Sequence, residues 1–354
     1  MSKVYIIAEI GINFNGSLDN CYKMIDTAVK AGCDAAKFQM FSAKNLYPRS
    51  AGELDWIDDE KEYSYDIYEA VESFELPIDW IDKIISYCEN KGIDFMASVF
   101  DIYGLNFLVK KGMKVIKLSS YTTTHIPLIE AAAKTGLPII MSTGGATIGE
   151  TEEAVNKVLK YHNDLTLLHC SIQYPTKLED VNMGVMDTFS KVFPNIKVGY
   201  SDHTAEISDA PVESVYLGGS VVEKHITLDK RMKGPDHFFA LEPHELKKMV
   251  DDIKMAEQKY KNGDFKIDKI IYGNTQKICH SNEQYLRDFC YMTLFSKREI
   301  KKGEVINSTD IAVLRAGKKE KGIEPKYLEL FENNQVIAKK DIGFEDPIKW
   351  ESIL

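Results

Sequence analysis

The sequence predicts an α/β fold, a (β/α)8 TIM barrel followed by a small β-rich domain. Three observations predict it. Between Val4 and Ile226 one theme repeats, a short apolar run, a polar turn and an amphipathic segment. The repeat is about thirty residues long and occurs eight times, which suits a closed barrel better than an open sheet. After Tyr260 the pattern stops, and short β-like pieces separated by glycine turns take over.

The expected strands are 4–8, 35–39, 95–99, 115–118, 139–142, 165–170, 197–200 and 221–225. Helical patterns lie between them, among them 19–31, 79–91, 102–111, 127–135, 151–161 and 207–217. Gly32, Gly92, Gly112 and Gly136 follow four of these, as helix C-caps do. A closing helix is expected at 245–259. The Tyr-, Asp- and Glu-rich stretch 41–76 is too long for an ordinary connection, so it is either a lid over the barrel mouth or a surface excursion. The domain boundaries that result are 1–262 for the barrel, 263–282 for a Lys-rich linker and 283–354 for the small domain.

Bulk properties narrow the function. A chain of 354 residues can bury a large core. Its net charge of -10 argues against nucleic acid or an anionic membrane as partner. The six cysteines are scattered, with no Cys-x-x-Cys, as expected for reduced thiols in a cytoplasm. No signal-peptide pattern opens the chain, and no apolar run reaches membrane-spanning length.

In a TIM barrel the site lies at the carboxyl ends of the strands. Those ends carry Glu9 with Asn13, Lys37 with Gln39, Ser98, Lys117 with Ser120, Ser142 with Thr143, His169 and Ser171 with Tyr174, Ser201 with His203, and Glu223 with His225. His203 and His225 end consecutive strands, so their imidazoles can converge on a divalent metal with open positions left for substrate. Two lysines among hydroxyls suit a phosphorylated or doubly anionic substrate, although a lysine there can also form a Schiff base or a salt bridge. The turn Ser142-Thr143-Gly144-Gly145 is either a backbone phosphate contact or a plain loop. Glu9 is either a proton shuttle or a partner holding a lysine. Because neighbouring strand residues face opposite ways, His169 and Cys170 cannot form a dyad, and Cys170 is expected in the outer core. Asp236, in Gly234-Pro235-Asp236-His237, can bind a sugar hydroxyl or make an Asx turn.

These residues resemble the sialic acid synthase family, which condenses phosphoenolpyruvate with an amino-sugar aldehyde and water to give a nine-carbon keto acid and phosphate. The matching motifs span nearly the whole chain. They are Ala8-Glu9-Ile10-Gly11-Ile12-Asn13, Lys37-Phe38-Gln39, Lys117 with Ser120, Ser142-Thr143-Gly144, His169-Cys170 with Tyr174-Pro175, Gly199-Tyr200-Ser201-Asp202-His203-Thr204, Glu223-Lys224-His225, and Gly234-Pro235-Asp236-His237. The tail from Phe289 is similar to the family's antifreeze-like (SAF) domain. The resemblance implies a divalent metal on His203 and His225, Mn2+ with Mg2+ or Co2+ as alternatives. It implies Lys37, Ser98, Lys117, Ser120, Ser142 and Ser201 around phosphoenolpyruvate, and Gln39, Tyr174 and Asp236 at the acceptor sugar. It further implies Arg315 reaching into the barrel of a partner subunit in a domain-swapped homodimer.

The chain departs from the family pattern at Phe14, where His is usual, at Tyr121-Thr122, where Gly-Glu is usual, and at Ile172, where a small polar residue is expected. The segment Asp288-Phe289-Cys290-Tyr291 also lacks the usual arginine. A less polar sugar pocket follows, and with it an acceptor such as a 6-deoxy diacetamido sugar rather than N-acetylmannosamine. Two other classes compete. A Schiff-base aldolase on Lys37 or Lys117 would need no metal, and a carbohydrate-binding small domain would leave the strand-end residues without a purpose. A metal-dependent hydrolase would need His-x-His on the first strand, where Glu9 stands.

Overall fold

The computed structural model describes residues 3–58, 61–332 and 335–354. The first two barrel strands are Tyr5–Gly11 (β1) and Ala35–Met40 (β2). An antiparallel hairpin of Glu53–Asp58 (β3) and Lys61–Asp66 (β4) interrupts the series. The barrel resumes with Asp94–Val99 (β5), Ile116–Leu118 (β6), Ile139–Ser142 (β7), Leu165–Cys170 (β8), Lys197–Asp202 (β9) and Val221–His225 (β10). These strands close into a barrel in the order β1-β10-β9-β8-β7-β6-β5-β2. Each of the eight expected strands is a stave of it.

Alternation along the strands sorts the side chains into layers. Ile7, Ala35, Met96, Ile140, Leu168 and Val221 pack together inside the barrel as its apolar floor. Gly199 holds the floor position on β9, where a Cβ would stand 2.4 Å from the Val221 carbonyl oxygen and 2.8 Å from Leu168. The opposite strand faces pack on the helices, with Ile6, Ala8, Phe38, Ala97, Leu167 and Val222 in the outer core.

The helices begin and end as their sequences dictate. Helix Leu18–Ala31 stops at Gly32 and helix Ile81–Lys91 at Gly92, both left-handed with φ of +92° and +70°. Thr147 and Glu150 form a capping box at the start of helix Ile148–Leu159. The closing helix runs Pro243–Asn262. The segment 263–282 carries a short helix, Lys269–Tyr272, and lies along the barrel, its Ile271, Tyr272 and Lys277 carbonyls accepting from Met183, Gly184 and Ile148.

Beyond it, helix Gln284–Cys290 leads to an antiparallel pair, Met292–Ser296 (β11) and Ile311–Arg315 (β12). Bridges such as Ile300 with Ile342 and Val305 with Ile337 extend this small domain. Leu294, Ile300, Ile306, Phe331 and Ile348 form a core of its own. No helix among the described residues is long and apolar enough to cross a membrane.

One cap makes the fold sensitive to acid. His125 is buried and its Nδ1 accepts from Leu128 N at 3.3 Å, starting helix Ile126–Lys134. Burial pushes its pKa down from 6.5 to about 4. The unfolded chain therefore takes up this proton before the folded one, so the stability is present above pH 6.5 and is lost as pH falls toward 4. The loss from this group is on the order of 3 kcal/mol. Asn caps helices without titrating, so His125→Asn should flatten the urea midpoint against pH in this window. An unchanged acid slope would show that the ring does not govern it.

Candidate active site

Two residues above the apolar floor, each strand places a second side chain inside the barrel. This layer is Glu9, Lys37, Ser98, Lys117, Ser142, Cys170, Ser201 and Glu223, and all eight line one cavity of about 420 Å3 at the carboxyl ends of the strands. The floor below is apolar and the layer above it is nearly all polar, so charge is concentrated in a buried cup. Lys37 Nζ lies 2.7 Å from Glu9 Oε2, 2.9 Å from Ser98 Oγ and 3.4 Å from Glu223 Oε1. Lys117 Nζ donates to Ser142 Oγ at 2.8 Å and the Leu118 carbonyl at 3.2 Å, and stands 3.6 Å from Glu223 Oε2. Glu223 therefore sits between the two ammoniums and also accepts from Ser201 Oγ at 3.1 Å.

The two lysines differ electrostatically. Burial disfavours both charges, but Glu223 and Glu9 outweigh it at Lys37, whose pKa goes up. At Lys117 burial prevails over the attraction of Glu223, and the pKa goes down. Lys117 is thus the cation most in need of an anionic partner. For Glu9, burial and then the nearby Glu223 raise the carboxyl against the pull of Lys37. Its Oε1 accepts from Gln39 Nε2 at 2.8 Å, so Glu9 holds Lys37 and Gln39 in place and is also primed to carry a proton.

Above this layer stand the histidines, with ring centroids 5.3 Å apart. His203 Nδ1 donates to the Ser171 carbonyl at 2.6 Å, which leaves Nε2 as the ring's ligating nitrogen. The buried Nδ1 of His225 has no hydrogen-bond partner, with Asp236 Oδ2 3.6 Å away. Burial and the neighbouring His203 and Lys37 keep His225 well below its ordinary pKa, hence neutral. The orphaned buried nitrogen and the second imidazole offer two nitrogen donors to a divalent ion, but among the described residues no set of three or more His, Cys, Asp or Glu side chains is grouped to hold one, so other ligands would have to complete its shell.

Tyr174 lies against His203 at 4.3 Å between centroids, and Phe239 closes the far side of His225 at 5.1 Å. The expected insertion 41–76 does cover the mouth, through Phe41, Leu46, Val71 and Phe74. Helix Gln284–Cys290 adds Leu286 and Phe289. Arg315 enters from β12, its guanidinium 4.9 Å from the Tyr121 ring centre, 5.2 Å from Phe100 and 5.6 Å from Tyr47. Within the single chain Arg315 reaches the mouth of the chain's own barrel, the place where the sequence expectation put a partner's arginine.

With this geometry the comparisons decide the family. The pattern of the NeuB family matches residues 24–265. The chain belongs to the NeuB family. It is 37% identical to the spore coat polysaccharide biosynthesis protein SpsE of Bacillus subtilis over 99% of this chain and 94% of that protein. The crystal structure of SpsE superposes with a TM-score of 0.88 over 99% of this chain and 95% of that one, at 36% identity. An N,N'-diacetyllegionaminic acid synthase of Legionella pneumophila is 31% identical over 99% of this chain and 94% of its own length. The sialic acid synthetase of Leptospira borgpetersenii, solved with citrate, gives a TM-score of 0.67 at 30% identity over 75% of this chain and 88% of that one. The sequence resemblance to sialic acid synthases is therefore membership, and the barrel is the NeuB fold.

Within this NeuB chain several sequence expectations need correction. Cys170, expected in the outer core, lines the cavity 3.7 Å from His203 Nδ1. His169 points outward instead, its Nε2 on the Val181 carbonyl at 2.6 Å, held neutral by burial with a pKa near 3. The phase of β8 is set by Leu168 on the floor, and Cys170 lies two residues on. Phe14 does not touch the sugar pocket; it packs in the outer core against Trp80 at 6.2 Å. Thr122 is also turned away, its hydroxyl on the Ser119 carbonyl at 2.8 Å, and Tyr121 takes the lining position. The Gly144 and Gly145 amides are occupied by Ser120 Oγ at 2.9 Å and Glu283 Oε1 at 3.2 Å, so this turn is a braced loop rather than a phosphate cradle. Asn13 and Ser171 stand behind the site, Asn13 donating to the Ile226 and Asp236 carbonyls. Glu223, which sequence reading placed at a strand end without a role, is the centre of the charge network. Period-2 alternation with Val221 and His225 was the signal that marks it.

Proposed function

We propose that this chain is a nonulosonic acid synthase, joining phosphoenolpyruvate to an N-acetylated amino-sugar aldehyde with addition of water. The observation that carries the reading is the cup itself, two buried lysines among hydroxyls beneath a paired-histidine site and an arginine-bearing aromatic wall. Lys117, Ser120 and Ser142 take the phosphate, while Lys37, Ser98 and Ser201 hold the carboxylate and the enol end. A divalent ion on His203 and His225, Mn2+ in this reading, would supply Lewis acidity at the aldehyde oxygen. C3 of phosphoenolpyruvate forms the new bond to the aldehyde carbon, leaving positive charge at C2. Water adds at C2, and the tetrahedral adduct collapses to the keto acid as the C–O bond to phosphate breaks. Glu9, raised by burial and bonded to Gln39, takes the proton of that water and the alkoxide left on the former aldehyde oxygen receives one in exchange, while the lysines stabilise the departing phosphate.

The acceptor lies between Gln39, Tyr174, Asp236 and Arg315. Apart from the two lysines of the cup, Arg315 is the one Lys or Arg side chain among the described residues lining the cavity. The wall there is Ile12, Leu46, Val71, Phe74, Phe238 and Phe289, which suits methyl groups, with Arg315 its single cation among the described residues. A 6-deoxy diacetamido sugar fits that wall, and two relatives are named N,N'-diacetyllegionaminic acid synthase. The tail, in the same reading, is an antifreeze-like domain and the enzyme is cytoplasmic.

The test is phosphate release from phosphoenolpyruvate with Mn2+ across N-acetylmannosamine, its 6-phosphate, mannose and diacetamido-dideoxy sugars, with and without chelator. Release that needs metal and peaks with a diacetamido sugar is expected. Release equal in chelator would remove the metal, and preference for the 6-phosphate would overturn the apolar-wall reading.

A further inference from the structure

One short segment reaches the donor site from outside the barrel. Glu283, only 3% exposed, immediately precedes helix Gln284–Cys290. Its Oε1 accepts from the backbone of Gly145 at 3.2 Å and of Ile172 at 3.0 Å, and its Oε2 from His280 N at 3.1 Å. Arg287 donates to the Gly145 carbonyl and to Glu150. Tyr291 donates to the Gly144 carbonyl at 2.8 Å. Together with Ser120 Oγ on Gly144 N, these bonds engage all four backbone polar groups of Gly144 and Gly145.

The arrangement has a chemical consequence. Ser120 Oγ accepts from Gly144 N, which fixes the hydroxyl where it lines the cavity, its O–H shared between Cys170 and any ligand there. The turn that presents Gly144 N is in turn wedged by Ile172, whose side chain occupies the space a Cβ would need at either glycine, 2.8 Å from the one at Gly144 and 2.6 Å from the one at Gly145. Glu283 ties Ile172 and Gly145 to one carboxylate, so it sets the spacing between the loops after β7 and β8. The same helix carries Leu286 and Phe289 to the acceptor wall.

We propose that Glu283 is a positioning residue for the donor phosphate, acting through Gly145 and Gly144 on Ser120. This deepens the proposed condensation and rests on it. Segment 283–291 thereby links the acceptor wall to the phosphate contact. A carboxylate accepting two buried amides is a strong contact, and its removal is felt where those loops meet the ligand.

The experiment is steady-state kinetics on the full chain with Glu283→Ala, Glu283→Gln, Ser120→Ala and the double variant Ser120→Ala/Glu283→Ala. Glu283→Ala should raise the KM for phosphoenolpyruvate about tenfold or more, with the acceptor KM held within about twofold. Glu283→Gln keeps one oxygen for both amides and should recover most of the loss. In the Ser120→Ala background the Glu283 change should add little. Arg287→Gln, which removes the Gly145 carbonyl partner, the Glu150 pair and the guanidinium over the Tyr291 ring, should shift the same KM in the same direction and serves if Glu283→Ala does not fold. Equal shifts in both KM values, or full additivity with Ser120→Ala, would overturn the positioning role. The wild type run alongside separates the two ideas: no phosphate release there sinks the condensation, whereas release with an unmoved KM in the variants sinks only the role of Glu283.

Discussion

His203→Gln should lower kcat/KM for phosphate release by about 10³-fold, or about 4 kcal/mol of transition-state stabilisation. His203 is buried, its Nδ1 is committed to the Ser171 carbonyl, and its ring faces His225 and Tyr174 across the cavity. Glutamine keeps a donor for that carbonyl but removes the imidazole nitrogen that sees the substrate. Tightly bound metal, counted by elemental analysis on protein washed free of excess ion, should fall together with activity. The fold should persist, because the imidazole stands in the cavity and takes no part in the outer core, and a urea midpoint near that of the wild type checks this. A variant within tenfold of the wild type, or one that keeps its metal, would place the reacting carbonyl elsewhere.

Lys37→Met and Lys117→Met should both cost about 10² to 10³ in kcat/KM for phosphoenolpyruvate, yet differ in stability. Lys37 neutralises Glu9 and Glu223 at 2.7 and 3.4 Å, and all three are buried. Removing it leaves two carboxylates in the buried cup with Lys117 alone, a loss of about 3–5 kcal/mol. The folded carboxyls of that variant would bind protons more tightly than the unfolded ones. Its deficit should therefore shrink as pH falls and grow as pH rises. Lys117 is the opposite case. Its charge is already disfavoured by burial, and its ionic contact is a loose 3.6 Å. Methionine there relieves that burial penalty but also removes the largest attractive charge on Glu223, so it should cost less stability than Lys37→Met while phosphoenolpyruvate affinity collapses. Urea titration of the two variants at pH 6 and 8 reads the difference. Equal destabilisation by both would mean that the charge is shared evenly and that Lys117 is not held ready for an anion.

The identity of the cup was legible because strand alternation is local. Once β1, β2 and β10 are recognised, Glu9, Lys37 and Glu223 follow from a two-residue step above Ile7, Ala35 and Val221. Local rules do not supply the phase of a strand relative to the barrel centre. For that reason His169 was expected at the site, and Cys170, which is in it, was expected behind it. Phe14 and Thr122 failed for a related reason. Each is next to a motif in sequence, but the turn that carries it rotates the side chain into the core, Phe14 onto Trp80 and Thr122 onto Ser119.

By itself the sequence determined the barrel, its eight staves, the two lysines, the hydroxyls and the histidine pair, since these depend on short-range periodicity and on residue chemistry. Tertiary structure alone decided which partners the distant residues meet at the cup, even for Arg315, which the resemblance had already sent into a barrel. Arg315 meets Tyr47 and Phe100, and Glu283 meets Gly145 and Ile172, across separations of more than a hundred residues. Such pairings carry no periodic signal, because they arise only when a buried carboxylate or guanidinium must find partners after the chain has closed around it.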